Sequence, residues 1–195
     1  MTIPIPHRPS GFLLGDSSAN VTIDAFVDIQ CAHSLAMWPT LMNVLVHFKN
    51  KSLSLKVHLM TLSDHRQAWD VSLGLLAFAD SDATKFYDFA TFLYERQEQF
   101  NNASFSNKTH DDLKRLVADF AEEFSTVKGA EFDRKRFLEK MGSHDTYIQG
   151  RTPIRYAATR SVWATPTVFI NNAGKVPVNH HSKLADWLEV IEPLL

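Results

Sequence analysis

Hydrophobic and polar positions alternate over Val21 to Asp28, and again at Leu53, Leu55, Val57 and Leu59, which predicts two strands. Between them the spacing turns helical. From Leu35 to Phe48 the apolar residues Met37, Trp38, Leu41, Leu45 and Phe48 recur on one face, and Pro39 inside this helix predicts a kink. Lys49 to Ser52 reads as the turn leading to the second strand. Residues 1–20 carry Pro and Gly at intervals and read as an arm without regular structure.

From Arg66 to about Arg160 the spacing is helical throughout. The segments are Trp69–Phe78, Ala83–Phe100, His110–Phe124, Phe132–Met141 and Asp145–Arg160, with Pro153 expected in the early turns of the last. Asp111 and Asp112 suit the first turn of the third segment, where the helix dipole favours negative charge. The aromatic stripe Phe86, Phe89, Tyr94 reads as core packing between these helices. Strand character returns at Thr167–Ile170. Asn171 to Gly174 then predicts a hairpin turn and Lys175–Val178 its return strand. Ser182 is the expected N-cap of a final amphipathic helix reaching Leu194. The order is β-α-β, a helical block, then β-β-α. Neither two-stranded piece is stable alone, so the two ends must share one sheet. The expected division is 1–65 with 161–195 as one domain and 66–160 as an inserted helical domain.

Composition narrows the partners. The chain has 195 residues, 45% hydrophobic, 22% charged, with a net charge of −2. With no block of like charges, neither nucleic acid nor an anionic membrane surface is expected as a partner. No apolar run is long enough to span a bilayer, and the N-terminus lacks the apolar core of a signal peptide. Either the protein is not exported, or Met1 stands where a leader was removed. Four N-x-S/T sequons, at Asn20, Asn50, Asn102 and Asn107, fall in expected loops and make glycosylation in the secretory pathway a working expectation. Loops are also rich in Asn, Ser and Thr for reasons of turn chemistry, so a cytoplasmic location stays open.

The candidate chemistry centres on Cys31, the single cysteine. It follows a strand and precedes a helix. A thiol at a helix N-terminus faces unpaired backbone N–H groups and the positive end of the dipole, both of which favour thiolate. His33 stands beside it, as an imidazole able to stabilise that thiolate. The other eight histidines are expected to be solvated surface residues. The adjacent pair His180-His181 does not converge on one metal, and no metal site is expected.

Four features resemble the thioredoxin superfamily, within it the DsbA-like thiol oxidoreductases that carry a helical insertion. They are Phe26-Val27-Asp28-Ile29-Gln30-Cys31; Pro39, eight residues after Cys31; the aromatic helix Lys85–Phe100; and Ala164-Thr165-Pro166-Thr167-Val168-Phe169-Ile170-Asn171 followed by Gly174. The resemblance spans about residues 18–195. It implies an α/β thioredoxin fold, a central mixed sheet flanked by helices with an inserted helical domain. It also implies a cis bond before Pro166, facing the active cysteine, and a peptide-docking surface at Ala32, Thr165 and Pro166. In this group the second reactive position is a cysteine. Here it is Ser34, able to donate a hydrogen bond to the Cys31 thiolate. Ala32 replaces the proline frequent there. A buried acid commonly lies six residues before the first cysteine, where this chain has Ala25, while Asp24 points to the opposite face.

With one cysteine, no intramolecular disulfide forms. The chemistry left is monothiol exchange at Cys31 on protein or glutathione mixed disulfides, with glutathione as co-substrate and no bound cofactor. A redox-inactive peptide-binding or chaperone module is the alternative. A third is a relative of the kappa-class glutathione transferases, which share the insertion but place serine where this chain has Cys31.

Overall fold

The computed structural model describes residues 4–48, 53–174 and 176–195. The strands are β1 (Phe12–Gly15), β2 (Val21–Val27), β3 (Leu53–Leu59) and β4 (Thr167–Ile170). They form one mixed sheet in the order β1-β3-β2-β4, with β2 parallel to β3 and the outer strands antiparallel to their neighbours. The helices are α1 (Ala32–His47), α2 (Ala68–Ala79), α3 (Ala83–Tyr94), α4 (His110–Val127), α5 (Arg134–Met141), α6 (His144–Thr159) and α7 (Leu184–Ile191).

Alternation along β2 sends Ile23, Ala25 and Val27 into the main core, which includes Trp38 and Leu41 of α1 and Trp187 and Ile191 of α7. Phe26 points the other way and packs with Tyr156 and Ala157 of α6 and with Phe169 of β4. The sheet is therefore covered on both sides, and β3 is buried along nearly its whole length despite its alternating sequence. In the helical region α2 is central and packs against α3, α4, α5 and α6.

Several expectations need correction. The arm contains β1, a short edge strand bounded by Gly11 and Gly15, both at positive φ. The aromatic helix ends at Tyr94, followed by a separate 3₁₀ turn over Gln97–Gln99. Phe86 packs against a strand rather than only among helices, its ring stacked 4.0 Å from Phe12. Pro153 lies well inside α6 without ending it. The hairpin has no return strand among the described residues. Ala173 makes only an isolated bridge to Ile170, and Pro177 supplies no N–H for a ladder. Lys175 lies outside the described residues, as do the expected turn at Lys49–Ser52 and the sequon at Asn50. Lys183, not Ser182, caps α7, which ends at Ile191 and passes into a 3₁₀ turn. His58 is not a surface residue: it is 1% exposed.

Candidate functional site at Cys31

Cys31 is the N-cap of α1, in extended conformation, so the helix starts immediately after the sulfur-bearing residue. Its amide donates to the carbonyl of Asp28 at 3.1 Å, and its own carbonyl accepts the first helical bond from Leu35 at 3.0 Å. Side chains from beyond β3 tie down the rest of the loop. Gln97 Nε2 donates to the carbonyls of Ile29 (3.0 Å) and Cys31 (3.2 Å), and the Tyr94 hydroxyl donates to that of Asp28 at 3.2 Å. Gln30 Nε2 donates to Gln67 and Asn102, and Gln30 Oε1 accepts from the Gln67 amide. Cys31 is nearly buried, 4% exposed. Its S–H donates to the carbonyl of Thr165 at 3.3 Å. The Thr165–Pro166 bond is cis. Residues 134 positions apart in the chain thus meet at the sulfur.

Ala32 and His33 are exposed on the first turn of α1, whereas Ser34 is fully buried. Ser34 Oγ accepts from the amide of Asp28 at 3.2 Å, so it is engaged by the loop backbone. The His33 ring lies 4.1 Å from that of His180, which lies 4.0 Å from His181. The pair thus returns to the rim of the site, although no group of three His, Cys, Asp or Glu side chains among the described residues is arranged to hold a metal. Partial burial and the neighbouring His181 and His33 rings push the His180 imidazole down.

Asp28 was not a candidate in the sequence. It carries no exposed surface, and burial pushes its carboxyl up. The amides of Leu62 (2.7 Å) and Gln30 (2.8 Å) donate to it, and His65 Nδ1 lies 2.9 Å away, all opposing that effect. The only advance signal was its place in the strand-to-cysteine motif. Ala25, the position where the resemblance puts an acid, is buried in the core, and the acid beside the loop is Asp28 instead.

Asn20, Asn102 and Asn107 all lie outside helices and strands. Asn102 is exposed, yet its Nδ2 donates to Asp64 and its Oδ1 accepts from Gln30 and the Arg66 amide. A glycan there would be attached at Nδ2, the atom that donates to the Asp64 carbonyl, on the same side chain whose Oδ1 holds Gln30.

A strand, a cysteine capping the next helix, and a cis-proline strand facing it define the site, and the thioredoxin family model matches residues 7–192. The chain belongs to the thioredoxin family. No curated protein matches it. Among solved structures, a candidate protein-disulfide isomerase from Pseudomonas syringae superposes with a TM-score of 0.77 at 15% identity, over 93% of this chain and 97% of that one. DsbA from Chlamydia trachomatis gives 0.70 at 17% identity, over 100% and 96%. BdbD from Bacillus subtilis gives 0.70 at 18% identity, over 95% and 97%. These similarities show that this thioredoxin-family chain has the DsbA-like fold with its extra helical region. No described helix is long and apolar enough to cross a membrane.

Proposed function

We propose that this chain is a monothiol disulfide oxidoreductase acting on protein or glutathione mixed disulfides through Cys31. The observation that carries the reading is the contact of the Cys31 sulfur with the Thr165 carbonyl, which sets the nucleophile against the segment where an extended peptide would dock. The Cys31 thiolate attacks a substrate disulfide, forming a mixed disulfide and releasing one substrate thiol. A second thiol, glutathione, then attacks that mixed disulfide and frees Cys31. His33 is the candidate thiolate stabiliser, Ser34 orders the loop through Asp28, and Ala32, Thr165 and Pro166 line the docking surface. The sequons favour a secretory setting for this chemistry.

The test is turnover of an oxidised peptide with and without glutathione. Turnover should require glutathione and disappear in Cys31→Ala, and a Cys31–peptide disulfide should accumulate when glutathione is withheld. Turnover that persists in Cys31→Ala would sink the reading.

A second reading, a peptide-binding module without redox turnover, has its own support. The contact to Thr165 exists only while the sulfur carries its proton, and the Ser34 hydroxyl is engaged by the Asp28 amide rather than by the sulfur. This reading expects peptide affinity that survives Cys31→Ala, and alkylation of Cys31 no faster at neutral pH than that of a free cysteine, whose pKa is about 8.5.

A further inference from the structure

On the α6 side of the sheet, away from the main core, lies a cavity of about 470 Å³ bordered by Ser10, Asp24, Lys56, His58 and Tyr156. Three of these form one hydrogen-bonded line. Ser10 Oγ is 2.7 Å from His58 Nδ1, and His58 Nε2 is 3.0 Å from Asp24 Oδ1. The partners set the tautomer. A carboxylate accepts only, so Nε2 carries the proton and Nδ1 is free to accept from the Ser10 hydroxyl. The ring itself is held by Phe26, stacked at 4.6 Å, and by Tyr156 at 5.1 Å. Gly11, at φ +87°, lets the backbone lie against the imidazole. A Cβ there would come within 2.7 Å of both His58 Cε1 and Lys56 Cγ.

The charges suit the same assignment. Burial pushes the Asp24 carboxyl up, but the His58 hydrogen bond and the charges of Lys56 and Arg160 help to outweigh it and hold the group below its ordinary value. Burial pushes the His58 imidazole down, helped by Lys56 and Arg160 and opposed by Asp24. A neutral base thus stands between a hydroxyl and a carboxylate, the arrangement that activates a serine.

We propose that Ser10, His58 and Asp24 form a second active centre, an acyl-transfer site for small esters, independent of Cys31. The volume is in the range of small-molecule sites, roughly 300–1,000 Å³. Ser10 Oγ attacks the ester carbonyl while its proton passes to His58 Nδ1. The C–O bond of the ester breaks, and the alcohol leaves with the proton from His58. Water, deprotonated by the same nitrogen, then attacks the acyl-serine, releasing the acid and restoring Ser10. Lys56, on the cavity wall, supplies positive charge for the tetrahedral oxyanion.

The experiment uses the whole chain carrying Cys31→Ala, so that the thiol does not itself attack the probes. The chain is treated with a fluorophosphonate and the modified residue is located by peptide mass spectrometry. Hydrolysis of p-nitrophenyl butyrate is followed in parallel. Expected are labelling at Ser10, loss of both signals on adding Ser10→Ala, and a hydrolysis rate lowered by at least about tenfold by Asp24→Asn, which imposes the wrong tautomer. An unlabelled Ser10, or hydrolysis unchanged by Ser10→Ala, overturns the proposal and leaves His58 as a core contact between arm and sheet. The labelling step needs no change in the triad, so a folding defect in a triad variant does not obscure it.

Discussion

Asp28 shows how much one residue can hold. Its carbonyl accepts from Cys31 and Tyr94, its amide donates to Ser34, and its carboxylate collects Leu62, Gln30 and His65. Replacing it with Asn turns one acceptor oxygen into a donor NH₂ facing other donors. Asp28→Asn should therefore destabilise the fold by about 1–3 kcal/mol, the cost of an unsatisfied buried group. The pH dependence has a definite sign. Burial raises the folded pKa of Asp28 above that of the unfolded chain, so the folded state binds more protons there. Its contribution to stability is then greatest below the unfolded value of about 3.9 and falls as pH rises through the raised folded value. Urea unfolding at several acidic pH values should show this downward trend in the wild type relative to Asp28→Asn. Parallel stability curves would assign the trend to other carboxylates.

Among the elements, α2 is the least tolerant of change because four helices share it. At Gly74, α2 lies tightly against α4: a Cβ at that position would overlap the side chain of Val117. Gly74→Ala improves helix propensity by about 1 kcal/mol but overpacks this crossing, which typically costs about 1–3 kcal/mol. The expected outcome is a net loss of stability in thermal or urea unfolding, and pairing it with Val117→Ala should restore part of it. A stabilised Gly74→Ala would mean that the two helices can separate without penalty. The edge strand β1 illustrates the opposite limit. A four-residue strand carries little periodic signal, and this one exists because Phe12 stacks on Phe86 and its carbonyl accepts from the Tyr87 hydroxyl.

At the scale of the whole molecule, the helical region does more than cover the sheet. Tyr94, Gln97, Gln67 and Asn102 all reach the segment from Asp28 to Cys31, so the position of the sulfur depends on residues remote from it in sequence. Gln97→Ala removes the donor shared by the Ile29 and Cys31 carbonyls. It should cost about 1–3 kcal/mol of stability. The displaced loop should also lower the rate of disulfide exchange by about tenfold, measured where the variant is still folded, because catalysis is sensitive to errors of about 1 Å in position. An exchange rate equal to that of the wild type would show that the helix start alone positions Cys31.

The periodic elements were legible in the sequence. Burial of one face selects spacing, and long segments such as α1, β2, β3 and α4 carry many repeats of it. The Cys31 motif was legible because a strand, a short turn and a helix start put the thiol at a helix N-terminus. The rest depends on neighbours that local pattern does not encode. The sequence motif placed Asp28 beside Cys31, but only the packing of His65 and Leu62 makes it a buried acid. Nothing in the chain near Ser34 indicates that its oxygen accepts from a backbone amide. His58 becomes a core residue because strand pairing sets it beside Asp24 and the arm folds Ser10 over it. His33 and His180 meet only because α7 packs on α1 and draws the preceding loop back to the site. Spacing is a property of one segment, whereas burial, charge and hydrogen-bond partners belong to the segments that meet, and that is why tertiary structure alone decided them.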